Sequence, residues 1–156
     1  MLARTAEYLF WTGRYLERAE DTARLLDVHY HLLLEDRRAD EATVCRALLS
    51  AMGADVGAVG GEPGATTVTA LLALDPTFSG SITCSIDAAW ENARGAREAL
   101  SSELWETLNT SHREITRRAR IGASGARHEF FGWVRDRAAE LGGYDVSDAG
   151  VVRLVN

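Results

Sequence analysis

The chain has 156 residues, 46% of them hydrophobic and 26% charged, which suffices for one domain with its own core and excludes a disordered segment. A formal net charge of -6 argues against a sequence-independent nucleic-acid binder, which needs clustered cations for phosphates, and against docking on anionic lipid. All 17 basic residues are arginine, so every cation is a planar fork suited to carboxylates, and there is no lysine for Schiff-base or P-loop chemistry.

The N-terminal stretch MLARTAEYLFWTGRYLERAE carries charges every few residues. It reads as neither a signal peptide nor a transmembrane helix, and the expected compartment is the cytoplasm. A long helix is expected from about Ala3 to Leu34, with Leu2, Ala6, Leu9, Gly13, Leu16 and Ala23 on one face at three- and four-residue spacing. A second helix fits Asp40 to Met52, with Asp40 or Thr43 as cap and Gly53 as terminator. Residues 53–65 hold five glycines and a proline and form a loop that matches no phosphate-cradling motif.

TTVTALLAL, residues 66–74, is read as a helix capped by Thr66 or Thr67, with a strand as the alternative that periodicity alone leaves open. After a turn at 75–81, residues 82–100 repeat helical spacing through Ile82, Ile86, Ala89, Ala93 and Ala96. Another helix opens at Ser101 or Ser102 and runs to about Arg120, with Glu103 and Glu106 in its first turns, where the helix dipole favours acids. A break at 121–126 precedes a last amphipathic helix over 128–141. The expected architecture is therefore all-α, an antiparallel bundle of about five to six helices. Residues 1–141 form one domain and residues 142–156 an irregular tail.

Two charged constellations stand out. Phe10, Glu17 and Arg24 share one helix direction, and Arg14, Glu17, Arg18 and Asp21 are neighbours at three and four residues. That placement predicts a buried or half-buried ion-pair network, since a lone buried carboxylate is costly. Such a network either fixes helix register or forms a carboxylate–guanidinium site for a ligand or partner, and the structural role is the commoner one. The second constellation joins Glu91, Asn92, Arg94, Arg97 and Glu98 to Glu103, Trp105, Glu106 and Asn109, with Trp90 and Trp105 as large apolar surfaces beside the charges. It reads as an ion-pair seam between packed helices.

Catalytic and metal signatures are weak. No glutamate is followed by histidine three residues on, His29 and His31 diverge on a helix, and His112 and His128 stand alone in sequence. No metal and no cofactor are expected. There is no Gly-x-Ser-x-Gly motif, and Cys45 and Cys84 form no Cys-x-x-Cys pair, so they read as reduced, buried thiols.

The stretches RTAEYLFWTGRYLERAEDTARLLDV and SIDAAWENARGAREALSSELWETLN resemble the alpha-E family, a bacterial all-helical domain family named for a Glu-Arg motif. Here that motif is Glu17-Arg18, and the second signature is Trp90-Glu91-Asn92-Ala93-Arg94 followed by Ser102 to Asn109. Trp90 stands where the family pattern has arginine. The resemblance covers roughly residues 1–135. It implies members about twice this length with a second such segment, so this chain reads as a truncated, frameshifted or half-length version whose exposed apolar face leads either to a homodimer or to marginal stability. It also implies company with an ATP-grasp-type amide ligase and a transglutaminase-like peptidase, and hence an accessory, interaction-based role. The alternatives are an enzyme using Glu17 or Glu91 with arginines that grip a substrate carboxylate, and a truncated fragment without function.

Overall fold

A computed structural model describes residues 2–36, 38 and 40–143. Among these residues every regular element is helical. The long elements are α1 (Leu2–Glu35), α2 (Glu41–Ala51), α3 (Ala65–Thr69), α4 (Ile82–Gly95), α5 (Ser102–Ala123) and α6 (Arg127–Gly143). The all-α expectation holds. The tail expected after residue 141 falls almost wholly outside the described residues, and α6 runs two residues past that boundary.

Local chemistry accounts for most of the boundaries. Ser81 and Ser101 cap α4 and α5, their hydroxyls accepting from the amides of Cys84 at 3.0 Å and Leu104 at 3.1 Å. Asp40 is the N-cap residue of α2, but its carboxylate takes the Thr43 hydroxyl rather than a backbone amide. That hydrogen bond holds the Asp40 carboxyl below its ordinary range. Gly53, at φ +73, lets the chain turn away beyond α2. The helix expected at 66–74 starts at Ala65 with Gly64 as its cap residue, and Glu41 on α2 accepts from the Ala65 amide at 2.8 Å. It widens into a π turn over Ala70–Leu74. The helix expected over 82–100 stops at Gly95, and Arg97–Ala99 make only a single 3-10 turn. The break expected from residue 121 begins later, because α5 continues through Gly122 to Ala123.

Four helices build the bundle. α1 packs on α4 and α6, and α5 packs on the same two. The α4–α5 and α5–α6 connections are a few residues long, which makes those neighbours antiparallel. The π turn packs against α1, α4 and α5, and α2 packs on α3. Ile82, Ile86, Ala89, Ala93 and Ala96 are all buried, as their spacing predicts. Leu104, Leu108, Ile115 and Ala119 come from α5, and Phe130, Phe131, Val134 and Leu141 from α6.

α1 needs a correction. Its buried face is Thr12, Leu16, Ala19, Thr22, Ala23, Leu26, Asp27 and His29. Leu2, Ala6 and Gly13 are exposed, although the spacing placed them inside. At 34 residues α1 is about 50 Å long, whereas α4 has 14 residues and spans about 21 Å. The first turns of α1 therefore outrun their partners.

Candidate functional site

The Glu17-Arg18 cluster lies on the outside of α1. Arg14 and Glu17 pair at 2.7 Å with their side chains 58% and 62% exposed. Arg24 pairs with Glu20 one turn back, and Arg18 lies over the Tyr15 ring at 5.4 Å. Asp21 is exposed, and Phe10 is 60% exposed. The buried network expected here is thus an array of solvated pairs. The reason is register: the bundle buries the side of α1 that carries Leu16, Ala19, Ala23 and Leu26, and Glu17 falls outside it. Each such pair contributes about 0–1 kcal/mol.

The same outer side carries large apolar residues. Trp11, Arg14, Arg18, Asp21, Leu25, Val28 and Leu32 follow one another at three- and four-residue steps, and all are exposed. The stripe leaves Trp11, Leu25, Val28 and Leu32 uncovered by the described helices.

The second constellation forms a seam between α4 and α5. The Trp90 indole donates to Asn109 Oδ1 at 2.6 Å and stacks on His112 with centroids 4.3 Å apart. Trp105 stacks on Trp90 at 6.3 Å, and Arg94 and Arg97 lie over the Trp90 and Trp105 rings at 5.3 and 5.2 Å. Glu91 and Arg94 pair at 3.0 Å, both more than half exposed. The Asn92 amide donates to the Ala88 carbonyl at 2.8 Å, while Glu103 and Glu106 are exposed on α5. The two helices meet here through stacked rings and the Trp90–Asn109 hydrogen bond, whereas the Glu91–Arg94 pair lies within α4 and does not bridge them.

His112, isolated along the sequence, meets Asp87 Oδ1 through Nε2 at 3.1 Å across the seam. Burial holds the Asp87 carboxyl above its ordinary value of 3.8, while His112 pulls it down. A raised folded-state pKa means that Asp87 supports folding most below 3.8 and loses that contribution as pH rises through the folded value. Asp87→Asn keeps an acceptor for His112 and removes the titration. The parent melting temperature should therefore fall relative to the variant between pH 3 and pH 7, roughly the carboxylate range. A constant difference across thermal melts in that range would refute this account.

Tyr8, Glu91, Asn92, Arg94 and Gly95 line an open groove of about 370 Å³ between the N-terminal part of α1 and the end of α4. Gly95 is needed there, since a Cβ on it would come 2.7 Å from the Tyr8 ring. A larger concavity of about 720 Å³ is lined by Val59, Leu71, Leu74 and Phe78 together with Asp55 and Asp75. Those two acids serve local turns, accepting from the amides of Gly57 at 2.9 Å and Thr77 at 2.8 Å. Neither concavity sets a buried acid beside a base. Cys45 is buried, with Sγ 3.5 Å from His29 Nε2, and Cys84 is only half-buried. Burial pushes the Cys45 thiol up and the His29 imidazole down, so both stay neutral and the pair is no activated nucleophile.

A third cluster is one that sequence spacing did not single out. Asp27, one turn before His31 on α1, meets His128 of α6 at 2.9 Å through Oδ1 and Arg135 at 3.3 Å through Oδ2. His31 Nδ1 lies 3.5 Å from the same Oδ1 and 2.7 Å from the Asp27 backbone carbonyl. The only advance signal was the Asp–His pair at four-residue spacing.

These features define a helical-bundle domain whose Glu-Arg segment faces solvent, with no self-contained catalytic constellation among the described residues. The chain belongs to the Alpha-E family, described as a predicted alpha-helical domain with a conserved ER motif, whose model matches residues 1–148. That match runs past Asp136, where the resemblance was expected to fade. An uncharacterized protein of Mycobacterium bovis is 33% identical over 122 residues, covering 69% of this chain and 14% of that protein. An uncharacterized protein of Mycobacterium tuberculosis is 32% identical over the same shares. The matched segment is thus about one-seventh of the curated relatives' own length. No solved structure gives a significant match. Among the described residues no helix is long and apolar enough to cross a membrane.

Proposed function

We propose that the domain is an interaction module that docks through the outer side of α1 onto an ATP-grasp-type amide ligase, in a system that includes a transglutaminase-like peptidase. The observation that carries the docking role is the exposed stripe of Trp11, Leu25, Val28 and Leu32 interrupted by Arg14, Arg18 and Asp21. Aromatic and arginine side chains on a rigid helix are the residue types that anchor protein interfaces. The choice of partner rests on the family resemblance. The small share of each relative that this chain matches supports a domain that works against other parts of a larger assembly.

The test is co-purification of the chain with an ATP-grasp-type ligase from the same genome, read by size exclusion with light scattering. The double variant Glu17→Arg with Arg18→Glu changes only exposed charges, so its stability should stay within about 0.5 kcal/mol of the parent. Its affinity for the ligase should fall about tenfold or more, a loss of about 1.4 kcal/mol. A parent chain that ignores the ligase overturns the proposal, and so does a double variant that binds unchanged.

A further inference from the structure

We infer that Asp27, His31 and His128 form a binding site for a first-row divalent transition-metal ion of the zinc type, one that ties the C-terminal part of α1 to the start of α6. Each residue offers one ligand atom, and the three atoms lie within 4.8 Å of one another. Metal–nitrogen and metal–oxygen bonds of about 2.0–2.1 Å at a tetrahedral angle place neighbouring donors about 3.3 Å apart. The two separations from Asp27 Oδ1, 2.9 Å to His128 Nδ1 and 3.5 Å to His31 Nδ1, bracket that value.

The surroundings suit a metal better than a closed hydrogen-bond network. The Asp27 side chain is 9% exposed and is held by Arg135 on Oδ2, which leaves Oδ1 as its available oxygen. Arg135 then orients the carboxylate, as partners outside the ligand set do in metal sites. His31 Nδ1 lies nearer the Asp27 backbone carbonyl, at 2.7 Å, than Oδ1, at 3.5 Å, so His31 gives Oδ1 little as a hydrogen-bond donor. Both rings therefore converge on one oxygen that a single imidazole N–H already satisfies. Their side chains are 48% and 61% exposed and meet edge to face at 5.2 Å, which leaves them free to turn a nitrogen onto an ion and leaves a solvent side for a fourth ligand. Coordination through His31 Nδ1 requires that nitrogen to give up the Asp27 carbonyl and the ring proton to sit on Nε2, a turn that its half-exposed side chain has room to make. Two imidazoles and one carboxylate favour zinc, cobalt or nickel over magnesium or calcium, which require mostly oxygen ligands.

The experiment uses tag-free, full-length chain titrated calorimetrically with zinc chloride, and cobalt(II) followed by its visible absorption. One ion per chain is expected, with a zinc-induced rise in melting temperature through linkage. His128→Ala and His128→Gln should each weaken binding about tenfold or more and remove that rise, and His31→Ala should do the same. His128 is largely exposed, so its variants should keep the parent's helical circular dichroism. Magnesium should produce neither heat nor stabilisation. No zinc binding by the parent overturns the site, as does binding that survives loss of His31 and His128.

Discussion

Replacing Phe131 with alanine is expected to remove about 3–5 kcal/mol of stability, the largest loss of any single truncation considered for this domain. Phe131 is 1% exposed and is among the largest fully buried side chains. It projects from α6 beside Leu26 of α1 and Val68 of α3, around a void of about 10 Å³, room for roughly one water. Truncation loses the transfer energy of a benzyl group and enlarges that void against three elements that cannot all close in. A domain of this class has about 5–15 kcal/mol in total, so the variant should melt roughly 6–20 °C lower. Phe10→Ala is the matched control. Phe10 is 60% exposed, so the same chemical change there should cost about 0.5 kcal/mol or less. Equal losses at the two positions, read by urea denaturation, would contradict the assigned inner face of α1.

The contrast between these phenylalanines shows what the sequence could and could not convey. On α4 the pattern Ile82, Ile86, Ala89, Ala93 and Ala96 is apolar on one side only, so spacing alone locates the buried face, and all five residues are buried. α1 is apolar on both sides. Leu16, Ala19, Ala23 and Leu26 go inward, while Trp11, Leu25, Val28 and Leu32 stay outside. A period of 3.6 cannot choose between two stripes, and Glu17 shares its direction with Phe10, an apolar residue that is itself exposed. Glu17 and Arg18 therefore lie on the solvent side of α1, where the sequence pattern pointed partly inward. The Asp27 cluster was hidden for another reason: Asp27 and His128 are 101 residues apart, and only the packing of α6 on α1 brings them together. The early end of α4 is a matter of propensity and space combined. Gly95 weakens the last turn, and the Tyr8 ring occupies the room a side chain there would need.

Fully buried alanines on α1 and α4 lead to a second substitution of large effect. Ala19 and Ala23 of α1 and Ala89 and Ala93 of α4 have no exposed surface, and the two helices pack directly on one another. Alanine is the best helix former and also the smallest side chain with a Cβ, so it serves both the helices and their close approach. Ala89→Leu adds three carbons at a side chain that has no exposed surface. The gain in apolar burial is offset by off-rotamer side chains and by displacement of α1, and the net expectation is a loss of about 1–3 kcal/mol, with more where the backbone cannot move. The displacement should also be felt further along the same interface, where Gly95 meets Tyr8 and the 370 Å³ groove opens. Ala89→Gly tests the other direction. It adds no volume and should cost about 1 kcal/mol, the intrinsic penalty of glycine in a helix. If Ala89→Leu unfolds in urea within about 0.5 kcal/mol of the parent, the helices are not in the contact described, because a packed interior cannot absorb that volume without loss.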